Sequence, residues 1–225
     1  IGFIILLIAI FSPHAAFSAA LCLDVTIGFN DHFKLNAWTP ITVVLENRGR
    51  PLSGTLEVIV TSGSEYQQDV YPSTYALAVE LPTNSKKRYA FTVLIKTVTH
   101  DLVIRLSRED NILISKSVNL RSYFTEKNLA VVADNFVSPD ILSVLPEDLH
   151  AVNVPPKFLP DSWYGYDGVA LLIMKADTIR GLRSNQFQAL SRWLKQGGYL
   201  LTSGGLNYGA LFSKRLQEIL PLSIH

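Results

Sequence analysis

The chain has 225 residues, which is a length suited to one or two domains. Lys and Arg total 20 against 19 Asp and Glu, a balance that excludes the strong positive field needed to gather nucleic acid. Hydrophobic residues make up 48% of the chain and charged residues 17%, which excludes a disordered protein.

The N-terminal segment, residues 1–22, contains no Asp, Glu, Lys or Arg. A continuous apolar run is followed by Pro13 and His14 and then by small residues around Ala19. This pattern predicts a signal peptide. A retained membrane anchor and a buried core helix are the alternatives, but Pro13 and the short apolar run favour the signal peptide. A signal peptide or an anchor would export the rest of the chain, so we expect a periplasmic or extracytoplasmic, membrane-associated protein.

Cys22 is the only cysteine, so the chain cannot form an intrachain disulfide or a cysteine metal cluster. Its position after the apolar segment raises the hypothesis of a lipid-carrying cysteine. Leu21 occupies the preceding position, where a small residue is normally needed. A thiol without a special role is therefore the favoured interpretation.

Residues 23–121 alternate apolar and polar side chains, with turn signals at short intervals, and show no sustained helical period. Short, evenly spaced strands of this kind predict two packed antiparallel sheets, that is, an immunoglobulin-like β-sandwich. Trp38 is interpreted as a packing residue, with a sugar-stacking role as the alternative. The predicted strands cover residues 23–28, 38–47, 54–60, 75–81, 87–95, 102–106 and 112–120.

This half resembles the Ig-like modules of bacterial cell-surface and periplasmic proteins. The residues that carry the resemblance are the strand entry from Trp38 to Val43, the Leu45-Glu46-Asn47 strand end, and the stretch from Leu81 to Lys87. The resemblance implies the fold and says little about ligands.

After a predicted linker at 122–127, the pattern of residues 128–225 changes to continuous apolar strands that alternate with amphipathic helices. This order predicts an open parallel sheet with helices on both faces, as in flavodoxin-like folds, and we expect the domain to be incomplete. Gly197 is predicted to close the central helix in the left-handed conformation. The predicted strands cover 128–134, 149–154, 166–174 and 199–202, and the predicted helices begin at Ser138, Ser184 and Ala210.

In parallel sheets, ligands and catalytic groups gather at the carboxyl ends of the strands. Ser203 is the candidate catalytic residue there, although a nucleophile elbow needs a glycine two positions before the serine and Leu201 occupies that position. The glycines after Ser203 do not have dinucleotide spacing, and the aspartates are scattered, so no cofactor or metal is expected. The candidate ligand-binding residues at the same strand ends are Asp134, Asn135, Lys175, Gly204 and Gly205.

This half also resembles a class I glutamine amidotransferase-like domain. The matching residues run from Trp163 to Val169, through the helix that ends at Gly197-Gly198, to Leu201-Thr202-Ser203-Gly204-Gly205. In active members of that family the last turn carries a cysteine nucleophile, with a histidine and a carboxylate further along the chain. Here the turn holds Ser203, and the only later histidine is His225, so the resemblance implies a catalytically degenerate domain.

The combination resembles bacterial membrane-associated proteins that join a signal peptide, an Ig-like domain and an amidotransferase-like domain. It implies a non-catalytic envelope protein that works as a binding or assembly scaffold. The expected partners are other envelope or membrane proteins, with membrane contact through the N-terminal segment and no nucleic acid. The alternatives are an envelope hydrolase or amidotransferase whose other catalytic residues lie beyond residue 225, and a carbohydrate-binding module that uses the sandwich.

Overall fold

The computed structural model describes residues 20–63, 70–109, 111–134, 146–204 and 208–220. Most of the described chain is β-strand and few helices are present, and one of the sheets is parallel. The predicted N-terminal segment lies almost wholly outside the described residues. Within them, no helix is long and apolar enough to cross a membrane.

Three strands of the first half form an antiparallel sheet in the order β1-β2-β5. Along β2, buried side chains alternate with partly exposed ones, as the pleat of a half-buried strand requires. Ile41, Val43 and Leu45 point inwards. The strands are β1 (Leu21–Ile27), β2 (Ala37–Asn47) and β5 (Ser85–Ile95).

Four further strands form a second antiparallel sheet in the order β4-β3-β6-β7. Its inward residues, Leu56, Val58 and Val60 among them, share one core with those of the first sheet. The predicted alternation over residues 54–60 is therefore confirmed. The fourth strand begins at Tyr71, four residues before the predicted start at residue 75. The strands are β3 (Leu52–Ser62), β4 (Tyr71–Leu81), β6 (Leu102–Arg108) and β7 (Asn111–Val118).

The buried side chain of Asn47 organises the turn that ends β2. Its amide nitrogen donates to the carbonyl oxygens of Arg50, Leu81 and Pro82 at 2.9, 3.2 and 3.0 Å. Its side-chain oxygen accepts from the Gly49 N–H at 2.9 Å. These hydrogen bonds satisfy the buried amide and hold the turn after β2 against the end of β4.

The second half contains a parallel four-stranded sheet in the order β11-β10-β8-β9, which confirms the predicted parallel pairing. The side chains of β8 from Leu129 to Val132 are all buried, in agreement with the continuous apolar run. The strands are β8 (Asn128–Val132), β9 (Leu149–Asn153), β10 (Val169–Lys175) and β11 (Leu200–Ser203).

The helices of the second half are α1 (Ala176–Arg180), α2 (Ser184–Lys195) and α3 (Lys214–Ile219). Phe187, Leu190 and Trp193 are buried on one face of α2 as predicted, and Gly197 has the predicted positive φ of 97° after its end. The predicted helix from Ala210 to Leu220 is wrong in its first half. A 3₁₀ turn over Tyr208–Phe212 stops at Ser213, which is extended and precedes α3. The predicted helix at Ser138 lies outside the described residues.

The two halves are joined by direct contacts. Phe29, from the β1–β2 connection, is buried in the core of the second half, with its ring 6.4 Å from the ring of Tyr166. The N–H of Trp38 donates to the Asp167 carboxylate at 3.1 Å. The predicted linker is held in place as well, because Phe33 and Thr125 form a backbone hydrogen bond of 3.1 Å.

Candidate functional site

Three of the predicted site residues come together at the carboxyl edge of the parallel sheet. Lys175 ends β10 and lies directly beside Ser203, the last residue of β11. The N–H of Ala133 donates to the Ile173 carbonyl at 2.9 Å, which sets the neighbouring Asp134 at the same edge. Gly204 follows Ser203, whereas Asn135 and Gly205 lie outside the described residues. The register of the strands thus produces the cluster that the sequence predicts.

An ion pair occupies the centre of this edge. The Lys175 Nζ lies 2.8 Å from an Asp134 carboxylate oxygen, and the Asp134 side chain is only 13% exposed. A protonated lysine is a hydrogen-bond donor with no lone pair to accept a proton. In this arrangement Lys175 balances the charge of the partly buried Asp134 carboxylate.

Ser203 itself is exposed at the end of β11. A serine nucleophile needs an adjacent base, and an imidazole is the usual one. His150 is paired with Leu129 near the amino end of the sheet, so it lies at the opposite end from Ser203 and three strands away. The His32 ring contacts the His150 ring, with the centroids 4.4 Å apart and the planes tilted by 38°. The remaining described imidazole, His100, belongs to the β5–β6 connection of the first half.

Thr202 is a polar residue at this edge that the sequence does not single out. Strand alternation places it on the opposite face of the sheet from Ser203. Its hydroxyl is buried and finds no hydrogen-bond partner among the described residues. The sequence could not indicate this residue, because whether a threonine hydroxyl in a strand finds a hydrogen-bond partner depends on tertiary packing.

A cleft of about 320 Å³ lies beside the end of α2, and the sequence did not predict it. Its walls carry several aromatic rings, and Tyr199 on its rim is 72% exposed. A Cβ added at Gly197 would meet no atom, so the cleft is open at the helix end. The density of aromatic residues between 163 and 199 is the sequence signal that could have indicated it. The lining residues include Trp163, Tyr164, Asp167, Trp193, Gln196 and Tyr199.

Within the described ranges, three or more His, Cys, Asp or Glu side chains nowhere gather in a way that could hold a metal ion. Asp161 and Asp177, which the sequence left as scattered carboxylates, form ion pairs with Arg183 and Arg180 at 2.8 and 2.9 Å. In the described part of the chain, the candidate sites considered so far are the Asp134–Lys175–Ser203 edge and the aromatic cleft beside α2.

A family model described as a domain of unknown function (DUF8726) matches residues 20–121, the range that contains the two antiparallel sheets. No curated protein matches the chain. The matched structures include a β-glucosidase from Listeria innocua in complex with glucose, at 9% identity and a TM-score of 0.32, over 44% of this chain and 15% of the enzyme.

Two further structures match over a similar share of the chain. A β-D-glucoside glucohydrolase from Trichoderma reesei matches at 8% identity and a TM-score of 0.30, over 45% of this chain and 19% of the enzyme. A β-glucosidase from Kluyveromyces marxianus matches at 15% identity and a TM-score of 0.29, over 46% of this chain and 14% of the enzyme. At these identities and TM-scores the likeness carries no argument about fold or function.

Proposed function

We propose that the chain is a non-catalytic, membrane-associated protein of the bacterial envelope that acts as a binding or assembly scaffold. In this proposal the first half is an immunoglobulin-like sandwich, and the second is a class I glutamine amidotransferase-like domain without its nucleophile. The two antiparallel sheets around one core support the first assignment. The parallel sheet with the α2–Gly197-Gly198–β11 connection supports the second.

The observation that carries the proposal is the chemistry of the sheet edge at Ser203. Amide hydrolysis of the amidotransferase type needs a thiolate or an activated hydroxyl beside a base. Ser203 has neither a thiol nor a described imidazole beside it, and its strand neighbour Lys175 is bound to Asp134. The edge keeps the architecture of an active site while its ionisable groups neutralise each other.

The contacts between the halves favour a scaffold. Phe29 in the second core and the Trp38–Asp167 hydrogen bond hold the two halves in one arrangement. A fixed arrangement presents surfaces of both halves to a partner at little cost in conformational entropy.

We expect Ser203→Ala to leave the cellular function unchanged, because the hydroxyl activates no reaction. The test is complementation of a deletion strain by the full chain. In parallel, purified protein is treated with a fluorophosphonate probe, which labels activated serines. Labelling that Ser203→Ala removes, or loss of complementation by a folded Ser203→Ala protein, would contradict the proposal.

Carbohydrate recognition is a second candidate function, and the aromatic cleft beside α2 favours it. Exposed rings such as Tyr199 offer flat apolar faces for sugar C–H groups, while the Asp167 carboxylate and the Gln196 amide offer hydrogen-bond partners. The cleft lies in the second half, not in the sandwich where the sequence placed this alternative.

A glycan-binding assay with the purified chain tests this candidate. Tyr199→Ala should reduce binding of peptidoglycan fragments or envelope glycans about fivefold, since stacking is worth about 1 kcal/mol. Tyr71→Ala is the matched control, because Tyr71 is also an exposed tyrosine, at 64%, on a strand of the other half. Equal effects of the two variants, or no saturable binding, would exclude the cleft as a sugar site.

A further inference from the structure

A cleft of about 160 Å³ runs along the junction of the two halves. One wall is the outer face of the three-stranded sheet, where Thr42, Arg88 and Thr92 alternate with the inward core residues. The other wall is the segment from Lys157 to Ser162, together with Arg183. Junctions between folded units are common places for small-molecule sites.

Two positive charges converge on this cleft from different halves. The Arg88 guanidinium and the Lys157 ammonium each lie 5.0 Å from the centroid of the Phe158 ring. Neither side chain forms an ion pair with a carboxylate among the described residues, whereas Arg183 is neutralised by Asp161 at 2.8 Å. Like charges facing one space repel each other unless an anion lies between them.

The cleft also contains groups that complement such an anion. Thr42, Thr92 and Ser162 are among its lining residues, and each carries a hydroxyl group that can donate a hydrogen bond. A guanidinium binds carboxylate and phosphate oxygens through parallel N–H bonds, and an ammonium adds a point charge.

A second cleft, of about 200 Å³, meets the first at Thr42 and Phe158, which line both. Val154 and Pro155 form the apolar part of its remaining wall, which also includes Thr26, Gly28 and Asn30. The Phe158 ring is 39% exposed and lies between the charged space and the apolar one. The pair of clefts therefore offers a cationic end and an apolar end.

We infer that this junction binds an organic anion whose carboxylate or phosphate group lies between Arg88 and Lys157. The short apolar body of the ligand packs on Phe158 and extends towards Val154 and Pro155. A free metabolite and a lipid headgroup both have this chemistry. The site is independent of the Ser203 edge and of the aromatic cleft beside α2.

The test is titration calorimetry of the purified chain with n-hexyl phosphate, inorganic phosphate and hexanol. We expect saturable binding of hexyl phosphate, weaker binding of phosphate and none of hexanol, with affinity that falls as salt is raised. Arg88→Gln and Lys157→Gln should each weaken hexyl phosphate binding about tenfold, the usual cost of one charge-assisted hydrogen bond. Phe158→Ser should weaken the binding of hexyl phosphate more than that of inorganic phosphate, because only hexyl phosphate has an apolar body that packs on the ring.

Lys87→Gln is the matched control, since Lys87 is the preceding residue on β5 and its side chain points to the other side of the strand. Circular dichroism confirms that each variant is folded.

Vesicles with and without phosphatidylglycerol form a separate arm of the experiment. Vesicle binding that Arg88→Gln reduces indicates a lipid headgroup, and binding of hexyl phosphate alone indicates a free metabolite. The inference is overturned if hexyl phosphate and vesicles both fail to bind, or if Lys87→Gln weakens binding as much as Arg88→Gln.

Discussion

At residue 198 the backbone passes directly against the buried indole ring of Trp193. A Cβ added there would overlap that ring, so glycine is required by space and not by backbone conformation. At Gly197 the reasons are reversed, because the surroundings are open and φ is 97°. Two adjacent glycines thus serve different physical needs, and only the conformational need at Gly197 could be predicted from the sequence.

We predict that Gly198→Ala lowers the free energy of unfolding by about 1–3 kcal/mol, the usual cost of overpacking. Gly181→Ala is the control, since its φ is −80° and the nearest atom to an added Cβ is 3.5 Å away. That substitution should be neutral or slightly stabilising. Urea unfolding of both variants provides the measurement, and an equal loss in the two would contradict the packing explanation.

At the scale of elements, periodicity predicted the strands and the central helix because their buried faces repeat along the chain. The apolar face of α2 and the alternation in β3 follow this rule. The helix predicted from residue 210 failed at Ser213, where the backbone is extended and separates the 3₁₀ turn over Tyr208–Phe212 from α3. The Phe29 contact was missed because a single apolar residue in a connection has no period.

We predict that Phe29→Ala destabilises the protein by about 3–5 kcal/mol, as expected for removal of a fully buried aromatic ring. Its ring belongs to the core of the second half, although its chain position is in the first. Phe212→Ala should cost less than about 0.5 kcal/mol, because Phe212 is 43% exposed. Chemical denaturation compares the two variants, and a small effect of Phe29→Ala would show that the ring does not couple the halves.

At the scale of the whole molecule, the sequence indicated two kinds of structure but not how they meet. Strand order, the junction and the Asp134–Lys175 pair all depend on contacts between residues far apart in the chain. Parallel pairing brought three predicted site residues to one edge, as strand ends in such sheets require. The sequence could not predict that Arg88 and Lys157 both lie against Phe158, since the two residues belong to different halves.

The contact between His32 of the first half and His150 of the second should also make the free energy of unfolding depend on pH. Burial lowers the pKa of His150, and the neighbouring His32 ring and Lys127 ammonium lower it further. Above the ordinary value of 6.5 both folded and unfolded chains are neutral at this residue. As the pH falls below that value the unfolded chain takes up the proton first, so stability decreases until the folded pKa has also been passed.

We therefore predict that the free energy of unfolding falls less between pH 7.5 and pH 5.5 in His150→Gln than in the unmodified chain. Other titrating groups are common to both proteins, so the difference between the two slopes reports on this residue. Guanidinium unfolding at both pH values is the measurement. Identical slopes would mean that the surroundings of His150, including the contact with His32, do not disfavour its protonation.

The burial of Phe29 in the neighbouring core has a practical consequence for anyone who divides this polypeptide. A fragment that ends at residue 121 would expose the Phe29 side chain to solvent. Its Trp38 N–H would also lose the Asp167 carboxylate as hydrogen-bond acceptor. The complementary fragment would have a cavity beside Tyr166, where the Phe29 ring lies in the intact chain. We expect the separated fragments to aggregate through these exposed apolar groups. When mixed, they should reassociate, because Phe29 can insert into the core of the second half again.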